Sequence, residues 1–126
     1  MTQNISRDPT SDYTRRTMEI PPNSRILFIS GQTATDENGN TPPDADTQAD
    51  VVYGKMVQSL KDADMDVGDL IKTNVYVVGP ENVGALYKAG AKHNPGGKQA
   101  GTLIYVVALA RPEVLIELEA VAAKSS

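Results

Sequence analysis

The order of apolar patterns along the chain predicts an α+β domain with the element sequence ββαβαββ. Three observations carry this reading. Two segments repeat apolar residues at helical spacing, the remaining apolar runs are rich in β-branched and aromatic residues, and Gly- and Pro-rich breakers separate them. At 126 residues the chain fits one domain, residues 1–126, with a polar leader over residues 1–12.

The first strand is "YTRRTMEI", Tyr13 to Ile20, and "PPNS" turns the chain into "RILFIS". The two read as a hairpin whose second strand is central, because Ile26 to Ile29 is apolar on both faces. Gly31 to Ala45 is rich in Gly, Pro, Asp, Asn and Thr and reads as a long loop, a kind of segment that often carries function. Asp46 is a suitable N-cap for a helix from Thr47 to about Asp64, in which Val52, Met56, Leu60 and Ala63 recur at helical spacing.

"LIKTNVYVV", Leu70 to Val78, is the next strand. Gly79-Pro80 closes it and starts a second helix to about Lys92, with Glu81 near the positive end of the helix dipole. "HNPGGKQAG" breaks the chain again. Two strands finish it, Thr102 to Leu109 and Val114 to Ala123. Both helices are expected on one face of a mixed sheet. The other face stays apolar, so self-association is the simplest way to cover it.

Sixteen acidic against twelve basic residues give a net charge of −4, and the lysines are spread singly, which leaves no electrostatic footprint for nucleic acid. No cysteine is present, which excludes thiol catalysis, Cys-ligated zinc and disulfides, and fits a cytoplasmic protein. The amino-terminal residues lack the apolar core of a secretory signal. No apolar run approaches the ~20 residues that span a bilayer, so no membrane partner is expected.

His93 is the only histidine and reads as a loop or helix-end residue. No metal-ligand spacing occurs, so no metal is expected. Glu117 and Glu119, two apart on a strand, share a face with Leu115 and Val121, while Ile116, Leu118 and Ala120 take the other. That acidic face is either solvated or lines a cleft, where desolvation would raise a carboxyl pKa and give an acid or base.

Ser30-Gly31 has two readings as well: a glycine required by the backbone, or a small residue leaving backbone groups open to a ligand. Tyr13, Tyr76, Tyr87 and Tyr105 read as packing residues whose hydroxyls need partners. Gly96-Gly97-Lys98 lacks the spacing and context of a phosphate loop.

Taken in register, "ISGQTATDENG", "DTQADVV", "MVQSLKDADMDVGDLIKTNVYV" and "VLIELEAVA" resemble the RidA/YjgF family, the reactive-intermediate imine and enamine deaminases. They run in family order over most of the chain from Tyr13 to Ala123. The resemblance implies a chorismate-mutase-like sandwich, a homotrimer with a central β-barrel and outer helices, and a small-molecule cleft between subunits. It also implies cofactor-free hydrolysis of enamines or imines to 2-keto acids and ammonia.

By the same resemblance, Tyr13, Ser30 and Gly31 line the cleft and Glu119 orients the water. The family arginine that grips a substrate carboxylate is missing: Ala100 or Gly101 stands in its place, and no arginine lies between Arg25 and Arg111. Gly84 replaces the asparagine three before Tyr87, and Thr102 or Leu103 replaces the cysteine two after the arginine.

The chain therefore resembles an arginine-lacking branch. The implied activity is hydrolysis of an imine, enamine or related intermediate other than simple 2-imino acids, with Glu119 catalytic and Tyr13, Ser30, Gly31, Gly101 and Thr102 binding substrate. Lys98 is a point charge that could stand in for the arginine. The alternatives are a non-catalytic ligand-binding or chaperone-like trimer, a pathway-specific hydrolase or cyclase, and an endoribonuclease, which the acidic charge disfavours.

Overall fold

The computed structural model describes residues 3–9 and 14–126. Strands β1 (Ile5–Pro9), β2 (Arg15–Glu19) and β3 (Ser24–Gln32) lead into helix α1 (Ala45–Asp62), and β4 (Leu70–Val78) into α2 (Val83–His93). Strands β5 (Ala100–Val106) and β6 (Ile116–Ser125) close the order, with short 3₁₀ turns at Val67–Asp69 and Pro80–Asn82.

The main sheet has the order β3-β6-β4-β5, with β4 and β5 parallel and β6 antiparallel to both β3 and β4. The connections β3-α1-β4 and β4-α2-β5 are both parallel crossovers. Because such crossovers share one hand, both helices fall on the same side. Val52, Met56 and Leu60 of α1 and Leu86 and Ala89 of α2 pack there on Ile29, Val75, Val77, Ile116 and Leu118. Each large side chain so buried contributes about 1.5–3 kcal/mol.

The opposite face has no such cover: Phe28 is 77% exposed, and Ile26 and Ile104 are also exposed. The polar alternation of β6 resolves as expected, with Ile116, Leu118 and Ala120 buried and Glu117 and Glu119 turned to the uncovered side.

Several expectations are corrected. Part of the supposed leader, Ile5–Pro9, is a strand, and β2 pairs with it rather than with β3. The reason is chemical. Strand β2 carries Arg15, Arg16, Thr17 and Glu19 and matches the polar β1, whereas the apolar stretch Ile26 to Ile29 of β3 pairs with the apolar stretch Ala120 to Ala123 of β6. Strand β3 is thus an edge of the main sheet, not its centre, and its second apolar face is left uncovered.

The cap of α1 is Asp44, not Asp46, because the Asp44 carboxylate accepts from both the Thr47 N–H (2.8 Å) and the Thr47 hydroxyl (2.7 Å). Those contacts hold its carboxyl below the usual range. Asp46 lies in the first turn and pairs with Lys88 of α2. Strands β5 and β6 start two residues from their expected positions, at Ala100 and Ile116.

The long loop after β3 is tied down. Lys55 of α1 donates to the carbonyls of Thr33 and Thr35, and the fully buried Gln48 donates to Pro42 and Glu113 while accepting from the Leu115 N–H. Among the described residues, no helix is long and apolar enough to cross a membrane.

Candidate functional site

Strand β3 is irregular where its sequence reads Ser30-Gly31. Ile29 pairs with Ala120 and Gln32 with Leu118, so two residues of β3 oppose the single Glu119 of β6. This is a β-bulge, which leaves backbone groups out of the ladder and redirects the strand. Glycine suits its second position by close approach: a Cβ on Gly31 would displace the Glu117 carboxylate.

The register then carries one polar row across the uncovered face. Glu119 pairs with Asn74 of β4, and Asn74 with Thr102 of β5. Ser30, Glu119, Asn74 and Thr102 thus cross four strands, a span of about 14 Å at ordinary strand spacing. The next row holds Glu117, Tyr76 and Ile104.

Within these rows Glu119 is the organised group. Its Oε1 accepts from the Tyr76 hydroxyl at 2.7 Å and from the Asn74 side-chain amide at 3.1 Å. Tyr76, Asn74 and the charge of Lys72 hold the carboxyl below the ordinary glutamate range, against partial burial, so it is ionised at neutral pH. The same bond to Glu119 pushes the Tyr76 hydroxyl up. In the single chain, then, the shift opposes the raised value that desolvation in a cleft would give. Oε2 takes no hydrogen bond from a described residue, which leaves an anionic acceptor facing outward.

The sequence-predicted residues fall in two places. Ser30 and Glu119 share a depression of about 370 Å³ with Phe28, Lys72, Asn74 and Val121, and Gly31 lies at its bulged edge. Gly101 and Thr102 line a second cavity, of about 110 Å³, between α2 and the β4–β5 edge. Thr102 connects them, since it also ends the polar row. Tyr13 lies outside the described residues. Its neighbour Thr14 lines the second cavity, and the Arg15 N–H donates to the Gln99 carbonyl, which ties β2 to the base of β5.

Gly101 has no room for an arginine, because a Cβ there would sit 2.9 Å from the Thr73 carbonyl oxygen. Lys98 lines a different groove, beside Gly68 and Lys124, and stands at neither place. His93 lies in the helical layer, its Nε2 2.7 Å from Asp50 and its ring stacked on Tyr53, away from the polar row.

Asn74 and Lys72 are the residues that sequence reasoning missed. Their signal was the period-2 alternation of "KTNVYVV", which puts Lys72, Asn74 and Tyr76 on one face and Thr73, Val75 and Val77 on the other. Tyr76 was expected to need a hydroxyl partner, and Glu119 is that partner.

Fold and site together define a small α+β domain with a half-uncovered sheet that carries a bulged, carboxylate-centred polar row. A family model described as Endoribonuclease L-PSP matches residues 5–124, and the chain belongs to this family, that of the YjgF and Rid proteins.

Among solved structures, a Rid-family protein of unknown function from Yersinia pestis, YyfB, is 28% identical with a TM-score of 0.83, covering 98% of this chain and 100% of its own. The Escherichia coli YjgF gene product is 26% identical with a TM-score of 0.69 over 79% of this chain and 80% of its own. A Mycobacterium tuberculosis member of the YjgF family shares the fold at 20% identity and a TM-score of 0.67, over 95% of this chain and 98% of its own. No curated protein matches the chain.

Proposed function

We propose that the chain forms a cytoplasmic homotrimer, the uncovered sheet faces packing inward, and that it hydrolyses an imine or enamine in clefts between subunits. The observation that carries this is the polar row Ser30, Glu119, Asn74 and Thr102 on an otherwise apolar, unpartnered face. An apolar face with Phe28 77% exposed calls for a second copy, and a fixed carboxylate within it calls for a polar ligand.

In the reaction, the oxygen of a water adds to the imine carbon, the C–N bond breaks, and both water protons leave on the nitrogen as ammonia. Ionised Glu119 accepts a hydrogen bond from that water through Oε2 and offsets positive charge on the protonated imine nitrogen. Ser30 and the backbone freed at the bulge supply polar contacts, and Tyr13 closes the cleft. Without an arginine at position 100 or 101, the substrate is not a simple 2-imino acid.

A second reading, a ligand-binding trimer without turnover, draws on the same carboxylate. A group held below the ordinary glutamate range is a weak base. Nuclease action, the printed description of the family model, is disfavoured by the net charge of −4 and the dispersed lysines.

Ammonia release from freshly generated imines separates the first two readings. Wild type should exceed the uncatalysed rate, and Glu119→Ala should lose most of the excess. If both proteins match the uncatalysed rate across a panel of imines while ligands still raise Tm, the binding reading holds instead.

A further inference from the structure

The cavity between α2 and the β4–β5 edge has a chemistry of its own. At about 110 Å³ it is smaller than the roughly 150 Å³ engineered cavity that takes benzene, so it holds one group of a ligand and not a whole one. Its walls include Val75, Leu86 and Leu103, and among the described residues no charged side chain lines it.

Five hydroxyl-bearing side chains line it, those of Thr14, Tyr53, Thr73, Tyr87 and Thr102. Thr73, 7% exposed, and Tyr53 both line the cavity, and neither hydroxyl has a hydrogen-bond partner among the described residues. Burial pushes the Tyr53 hydroxyl up to about 12, so it remains a neutral donor. Both hydroxyls remain open to solvent, and a ligand oxygen or amide could take the place of water on them.

Two glycines keep these hydroxyls uncovered. A Cβ on Gly101 would lie 3.1 Å from the Thr73 Oγ1, and a Cβ on Gly90 would lie 3.7 Å from the Tyr53 Oη. Gly90 is in the interior of α2, where alanine would serve the helix better. Its presence favours the cavity at the expense of the helix.

We propose that this cavity is a specificity subsite for an uncharged, partly apolar group, such as a short branched alkyl chain ending in an amide, ketone or alcohol, bound through Tyr53 and Thr73. A carboxylate would enter as a buried anion with no cationic side chain among the described residues to pair it, and be rejected. The proposal deepens the preceding reading and rests on it at one point only, that Thr102 stands at a ligand cleft.

The test is an NMR titration of the assembled full-length protein with isobutyramide and with isobutyrate, which share shape and differ in charge. Isobutyramide should bind saturably in the millimolar range and shift the amides of Val75, Leu86 and Gly101, and isobutyrate should bind at least tenfold more weakly. Gly90→Ala should raise Tm yet weaken isobutyramide about tenfold, and Tyr53→Phe should weaken it at least threefold. Equal binding of the two probes, wild-type affinity in Gly90→Ala, or shifts confined to other residues would overturn the subsite. Because the readout is equilibrium binding, it separates from the hydrolysis reading. Isobutyramide binding with no ammonia release sinks only hydrolysis, and ammonia release without selective binding sinks only the subsite.

Discussion

The two faces of the main sheet are built from the same strands and differ in completeness. On the helical side, Ile116, Leu118, Val75 and Val77 meet α1 and α2, and the chain closes that core by itself. On the other side, the alternate residues of those strands, Glu117, Glu119, Asn74 and Tyr76, lie among exposed Ile26, Phe28 and Ile104. A face finished within one chain carries stability. A face left open, with an ionised carboxylate fixed in it, is the surface on which the proposed association and chemistry rest.

Substitutions on the two sides should therefore separate. The largest effect is expected for Leu118→Ala, a fully buried site, which should destabilise the fold by about 2–5 kcal/mol in denaturant unfolding. Phe28→Asp should leave the helical core folded and abolish the proposed trimer, read by light scattering and sedimentation. A Phe28→Asp protein that stays trimeric would show that the open face is not the contact surface.

The two site glycines sharpen the contrast further. Gly101→Ala drives a Cβ to 2.9 Å from a backbone oxygen and should cost on the order of 1–3 kcal/mol. Gly31→Ala meets only the mobile end of Glu117, so its stability should change by less than about 0.5 kcal/mol while ligand binding at the bulge falls. If Gly31→Ala is the costlier of the two, the bulge belongs to the structural face after all.

The smallest effect is electrostatic. Tyr76→Phe removes the largest cause of the lowered Glu119 pKa, so the carboxyl should titrate closer to the ordinary value in carbon-detected NMR. The sign follows from linkage. A depressed folded pKa gives stability that is complete above the unfolded glutamate value and is lost as pH falls through the folded one, and Tyr76→Phe should shrink that acid-side loss.

Much of this was legible in the sequence, for local reasons. The 3.6-residue repeat of Val52, Met56 and Leu60 and the alternation of Ile116 to Ala120 are set by helix and strand geometry, and both faces of β6 could be assigned from them. Family membership was legible too, in several motifs held in register from Tyr13 to Ala123.

Partner choice was not legible. That β3 seeks β6 across the chain, that β1 takes β2, and that Asp44 rather than Asp46 caps α1 are each decided by competition among distant or closely similar groups. The bulge at Ser30-Gly31 belongs here as well, since it exists only in the pairing with β6, where a Cβ on Gly31 would meet the Glu117 carboxylate.

The sequence by itself determined which residues are apolar and at what period, and hence the elements, their faces and the family. Only the tertiary structure decided that Tyr76 and Asn74 hold Glu119 ionised, and that Gly90 and Gly101 uncover two hydroxyls in one cavity. The physical reason is distance along the chain. Periodicity is a property of neighbours, whereas hydrogen bonds and close approach depend on residues that meet only after the strands have paired.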